Sequence, residues 1–176
     1  MNQSDLPPAA RALLQQATRR ETPCGDGVMA WHLWGTGEPV VMLHGGSGNW
    51  THWVRNIPAV LAAGYMAVVP DLPGFGDSAT PPGGGDADAA VAPVALGLQT
   101  LLGARPCTLV AFSFGSLVAA LLAAEQPGRV SSLLTNPRFD GLTLVPDAGH
   151  WVQFEAAERF NAWVGDALAA GSASGR

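Results

Sequence analysis

Ser113 stands between two phenylalanines in Leu109–Ser116, LVAFSFGS, where an uncharged β-rich run gives way to an alanine- and leucine-rich one. A serine held at a sharp strand-to-helix turn, with small residues on both sides, can present its hydroxyl as a nucleophile. Ala111 and Gly115 are those small residues, alanine standing where the pattern usually has its first glycine. A helix starting beyond Gly115 aims its positive end and unpaired N–H groups at the turn, which suits a developing oxyanion. Three other loops carry unusual residues: HGGSG at His44–Gly48, DLPGFGDS at Asp71–Ser78, and DAGHW at Asp147–Trp151. No H-E-x-x-H and no carboxylate cluster suggests a metal, and no cofactor is expected.

These loops need elements to hold them. Val28–Trp34 alternates enough for a strand, and Val40–Leu43 is a fully apolar run that reads as a buried parallel strand feeding the glycine loop. Trp50, Trp53, Ile57, Val60 and Leu61 recur at helical steps, and Gly64 ends that helix. Tyr65–Val69 is the next strand. Val91–Leu102 predicts a helix with Pro93 in its first turn or disturbing it. Thr108–Phe112 is a strand, Ser116–Gln126 a helix, Val130–Thr135 a strand, Leu142–Val145 a last strand and Phe154–Leu168 a closing helix. Strands alternating with helices predict an α/β fold, a doubly wound and mostly parallel sheet. In such sheets ligands bind outside the C-terminal strand ends, where all four loops fall.

Composition narrows the function. The nine Lys and Arg are scattered and the net charge is −5, which argues against nucleic acid as a partner. Cys107–Ala124 is eighteen residues without a charge, yet its β-to-α composition reads as a buried strand and helix, not a membrane span. Cys24 and Cys107 are far apart and read as free thiols, and the first residues carry no apolar secretory stretch, so a cytoplasmic location is expected.

Taken together, VVMLHGGSGNW, VVPDLPGFGDS, LVAFSFGS and LVPDAGHWVQFE resemble the α/β-hydrolase superfamily, closest to serine esterases and meta-cleavage-product (carbon–carbon bond) hydrolases. The resemblance spans nearly all of Gly27–Leu168. It implies Ser113 as nucleophile, His150 as the base, and the backbone N–H groups of Gly46 and Phe114 as an oxyanion hole, with Ser47 an alternative donor to Gly46. Ser47, Trp50, Phe75, Phe112 and Trp151 are candidate pocket walls. His44 is implied as a loop-shaping residue, His32 lies within a strand, and His52 follows the oxyanion loop within reach of a substrate. Asp71 and Asp77 are expected to tie down the loop between them. Epoxide hydrolases and haloalkane dehalogenases of the superfamily use aspartate at the nucleophile position, so serine there implies acyl transfer from esters, thioesters or activated carbon–carbon bonds to water.

The chain departs from the family after Thr135. Members continue with a helical cap and an acid-bearing strand, whereas here NPRFDG leads straight into LTLVPDAGHW. Residues 1–24 are expected to be an N-terminal extension, 25–168 one hydrolase-like domain with an internal deletion near 136–141, and 169–176 a frayed tail. Asp140 and Asp147 are the candidate acids. Asp140 is expected at the start of the last strand, the wrong sheet edge, and Asp147 belongs to the histidine's own turn. Six residues reach roughly 20 Å when extended, which leaves three topologies open: a bare crossover, a homo-oligomer that swaps the last strand and helix, or a hairpin that sends His150 to the opposite edge. The expected function is a cap-less serine hydrolase acting on a small-molecule substrate. Its rivals are an impaired or inactive remnant and a cofactor-free perhydrolase.

Overall fold

The computed structural model describes residues 6–135 and 151–174. Six strands form one sheet in the order β1-β2-β4-β3-β5-β6. They are β1 (Thr18–Cys24), β2 (Gly27–Trp34), β3 (Pro39–Leu43), β4 (Met66–Pro70), β5 (Cys107–Ala111) and β6 (Val130–Thr135). The sheet is mixed: β3 runs parallel to β4 and β5, and β5 to β6, while β2 is antiparallel to both β1 and β4.

Strand β3 shows why the sheet is buried on both faces. All five of its residues are buried, and period-two alternation sends Val41 and Leu43 to one face and Val40 and Met42 to the other. On the first face lie α3 (Ala87–Leu102) and α4 (Phe114–Glu125), packing Val94, Leu98, Val118 and Leu122 over the strands. On the second lie α1 (Pro8–Leu14), α2 (Ile57–Ala62) and α6 (Ala157–Ser174), the last contributing Phe160, Val164 and Leu168. A one-turn helix α5 (Val152–Glu155) leads into α6.

Four elements differ from the sequence reading. Thr18–Cys24, read as part of an extension, is strand β1, paired with β2 from Thr18↔Leu33 to Cys24↔Gly27. The helix expected over residues 50–61 is broken into a 3-10 turn, Trp50–Trp53, and α2. Pro58, with no N–H to give, can sit in the first turn of α2 but not in the middle of a longer helix. Pro93 lies well inside α3, beyond its first turn, and is buried, so the helix gives up one i→i−4 bond there. Residues 169–174, read as a tail, continue α6. The predicted strand Leu142–Val145, together with Asp140, Asp147 and His150, lies outside the described residues.

Candidate active site

β5 ends at Ala111 and α4 begins at Phe114, so Phe112 and Ser113 make the whole turn. The Gly115 N–H donates to the Phe112 carbonyl at 2.9 Å, closing a β-turn with Ser113 as its first central residue. Ser113 has φ 51° and ψ −119°, the type II′ geometry in which glycine normally occupies that position. Among the described residues, Ser47 is the one other non-glycine with positive φ, at 60°. Such backbone is retained where the surrounding structure forces it, and functional sites are where it collects.

Close packing does the forcing. A methyl group on Gly115 would overlap the Leu43 and His44 carbonyl oxygens, so α4 can approach the end of β3 only with glycine there. A Cβ on Gly45 would lie 2.8 Å from the Phe112 ring and 3.2 Å from the Ser113 Cβ. The glycine loop therefore rests directly on the serine turn. Gly115→Ala is expected to lower stability by about 2 kcal/mol through overpacking, read as a lower urea midpoint; an unchanged midpoint would contradict this close approach.

The turn leaves the right groups unspent. Ser113 occupies the N-cap of α4, yet its hydroxyl makes no capping bond. The Gly115 and Ser116 N–H groups are used within the turn, and the Gly48 N–H is given to the Gly45 carbonyl. Among the described residues, the N–H groups of Gly46 and Phe114 have no hydrogen-bond partner. A Cβ on Gly46 would be 3.9 Å from the Phe114 Cβ, so the glycine loop and the head of α4 lie side by side at these two residues. The helix dipole adds a fixed positive field at the same point.

The three histidines other than His150 separate clearly as candidate bases. His44 is fully buried, and its Nε2 accepts from the Leu72 N–H at 2.9 Å. A nitrogen that accepts carries no proton, so Nδ1 bears the hydrogen and donates it to the Gly45 carbonyl at 2.7 Å. Burial pulls its pKa down to about 4. His44 is thus a neutral strut between two loops. His32 is buried against the rings of Trp34 and Trp50, and burial lowers its pKa too. His52 is half-buried, its pKa also lowered by burial, with its ring 4.4 Å from that of Trp151.

Asp71 ties the second loop to the first. Its carboxylate accepts from the Trp50 N–H at 2.8 Å and the Asp77 N–H at 2.9 Å, and its carbonyl accepts from the Ser78 hydroxyl at 2.6 Å. Burial raises its pKa, against those two backbone bonds and the field of His32. Among the candidate wall residues, Phe75 is half-buried between the rings of His44 and Phe114, 5.6 and 5.5 Å away. Ser47 is exposed at the tip of the glycine loop. Trp50 is 3% exposed and packs into the core on Trp34 and His32, away from solvent. Phe112 is buried and meets Trp151 at 5.4 Å.

Trp151 locates the returning chain. β6 runs parallel to β5 with Thr135 opposite Ala111, so the chain leaves the sheet at the edge that carries Ser113. Trp151 lies against Phe112 at that same edge, within the same chain. Beyond it, α5 and α6 are fastened to the start of α2. The Asn56 amide donates to the Gln153 carbonyl and the Asn161 side chain at 3.0 and 2.7 Å, and the Arg55 guanidinium to the Phe154 carbonyl at 2.6 Å. Sequence periodicity could not show this clamp, because its donors are isolated polar residues at helix ends.

The sheet order, the glycine loop after β3 and the strained serine between β5 and α4 define an α/β core of the hydrolase type. The chain belongs to the alpha/beta hydrolase fold family, whose model matches residues 38–136. It is 36% identical over 103 residues to 2-hydroxy-6-oxo-6-phenylhexa-2,4-dienoate hydrolase of Burkholderia cepacia, covering 57% of this chain and 36% of that protein. It is 38% identical over 101 residues to a pimeloyl-acyl-carrier protein methyl ester esterase of Aeromonas hydrophila, covering 57% of this chain and 38% of that protein. Among solved structures, an epoxide hydrolase from an endophytic Streptomyces superposes with a TM-score of 0.61 at 29% identity, over 69% of this chain and 37% of the other. An epoxide hydrolase from Vigna radiata shares the fold with a TM-score of 0.64 at 23% identity, over 87% and 48%. A match of that extent reaches past Thr135 into the C-terminal segment. The chain spans little more than a third of the length of the curated relatives it matches. No described helix is long and apolar enough to cross a membrane.

Proposed function

We propose that this chain is a serine hydrolase in which Ser113 attacks a carboxylic ester or a related activated acyl or carbon–carbon substrate and His150 takes the serine proton. The observation that carries this reading is the strained Ser113 turn, with its hydroxyl unspent and the Gly46 and Phe114 N–H groups free to receive an oxyanion. Two such donors contribute most when water is kept out and they are fixed before the charge develops. Support for His150 comes from its sequence neighbour Trp151, which packs on Phe112 beside Ser113. Relatives named as a 2-hydroxy-6-oxo-6-phenylhexa-2,4-dienoate hydrolase and a methyl ester esterase agree with acyl chemistry. The serine at position 113 sets this site apart from the aspartate chemistry of epoxide hydrolases.

In the reaction His150 accepts the hydroxyl proton as the Ser113 oxygen adds to the carbonyl carbon. The same proton then goes to the leaving group as the acyl-enzyme forms, and water attacks in the second half with His150 again as base. Neither His44 nor Asp71 can substitute, since the protein itself uses both nitrogens of one and both carboxylate oxygens of the other. Hydrolysis of a short-chain nitrophenyl ester is expected to fall by about 10³-fold or more in Ser113→Ala and His150→Ala. Rates at the wild-type level in both variants would refute the mechanism.

A second reading rests on the departure from the family after Thr135, where NPRFDG leads straight into LTLVPDAGHW: a folded core that does not turn over. A fluorophosphonate separates the two, because it labels Ser113 only where the serine is activated.

A further inference from the structure

Trp151 touches two rings of the site: Phe112 of the serine turn at 5.4 Å, and His52 edge-on at 4.4 Å and 82°, the closest ring pair between described residues. His52 sits in the 3-10 turn that follows the glycine loop, and that loop is shaped around it. A Cβ on Gly48 would fall inside the imidazole, so the residue before Asn49 must be glycine for the ring to keep its seat. The His44 ring also meets it edge-on, at 5.7 Å. The His52 Nδ1 is buried and has no hydrogen-bond partner. A buried nitrogen left unpaired is unfavourable, so the ring is held there by its shape and its contact with Trp151 and not by a bond it makes.

We propose that His52 is a positioning residue of the active site: it seats Trp151 against Phe112 and so holds the chain leading out of His150 at the Ser113 turn. This inference rests on the dyad proposed above. The bonds from Arg55 and Asn56 fix the segment further on, at Gln153, Phe154 and Asn161, whereas His52 touches Trp151 itself. Displacements near 1 Å of a reacting group can lower turnover about 10²-fold, whereas substrate binding in the oxyanion loop does not depend on that group.

The test compares His52→Ala, His52→Phe and Trp151→Phe with the wild type, using a nitrophenyl ester and tryptophan emission. His52→Ala is expected to lower kcat at least about tenfold with little change in KM. His52→Phe is expected to recover most of that loss, since phenylalanine fills the same seat without an unpaired nitrogen. The emission assigned to Trp151, taken as the difference from Trp151→Phe, should change in His52→Ala and return towards the wild type in His52→Phe. Full activity and unchanged emission in His52→Ala would overturn the proposal. An equal loss in both His52 variants would also overturn it, because it would make the nitrogen the working part. Undiminished hydrolysis in Ser113→Ala and His150→Ala would overturn the dyad instead, and the role of His52 in the reaction with it; the emission changes would then report a packing contact alone.

Discussion

Ser113→Gly is expected to melt at a higher temperature than the wild type while losing ester hydrolysis entirely. The strain is visible in the backbone: φ 51° and ψ −119° place a side-chain-bearing residue where a type II′ turn wants glycine. Holding a non-glycine residue in such a region is unfavourable by about 1–3 kcal/mol. Glycine removes that strain but returns roughly 0.5–1 kcal/mol through its freer unfolded chain. The net gain of about 1 kcal/mol corresponds to a rise of about 2–4 °C for a protein of this length. Ser113→Ala is the control, since it loses the hydroxyl and keeps the Cβ. Both variants should be inactive, but only glycine should be more stable. Thermal melts that rank glycine at or below alanine would show that the turn is relaxed and that its geometry carries no stored cost.

The same turn shows what could be read from the sequence. Apolar runs ending in glycine loops gave away β3 and β5, because parallel strands buried on both faces have nothing polar to interrupt them. The serine turn was legible for a related reason: Gly115 is demanded by two carbonyl oxygens of β3 and its neighbour, a constraint local enough to leave a motif. Strand β1 was not legible by periodicity. It lies at the sheet edge and is exposed along most of its length, with Arg19, Arg20 and Glu21 in succession. Its signal was the turn instead: Gly25 has φ 54° at the first position of the two-residue loop that joins β1 to β2. The break between Trp53 and Ile57 was hidden because both halves keep their apolar residues in step, and only Pro58 marks it.

The clamp on α5 and α6 was the least legible part, and it bears most on how the site is assembled. Fifteen residues, 136–150, separate Thr135 from Trp151. Thr135 and Trp151 both stand at one sheet edge, the first by pairing with Ala111 and the second by contact with Phe112. The bonds of Arg55, Asn56 and Asn161 that hold the return are made by side chains whose spacing has no period. They are specified by the folded arrangement and leave no pattern in the chain.

Acid should destabilise the protein more steeply than its carboxylates alone would bring about. His44 has a folded pKa of about 4 against an ordinary value of 6.5, because burial disfavours its charged form. A proton can therefore bind the unfolded chain well before it binds the fold. Stability from this group is present above pH 6.5 and is lost as the pH falls towards 4, by about 3 kcal/mol in all. His32 and His52 shift downwards for the same reason and add to the slope. Asp71 acts in the opposite sense: its raised pKa means that the fold favours its neutral form, so its contribution is present below the ordinary carboxylate value and is lost as the pH rises through the raised one. The His44 shift is the large one, and the net direction is loss of stability on acidification. Urea midpoints taken from pH 7 to pH 4.5 measure it. His44→Gln should be less stable at pH 7, yet its amide oxygen can still accept from the Leu72 N–H and it does not titrate. Its dependence on pH should be shallower than that of the wild type by up to about 1.4 kcal/mol per pH unit, the share of one proton. A slope equal to that of the wild type would mean that protonation of His44 is not what the acid reaches first, and that the strut between the glycine loop and Leu72 survives to lower pH than its burial allows.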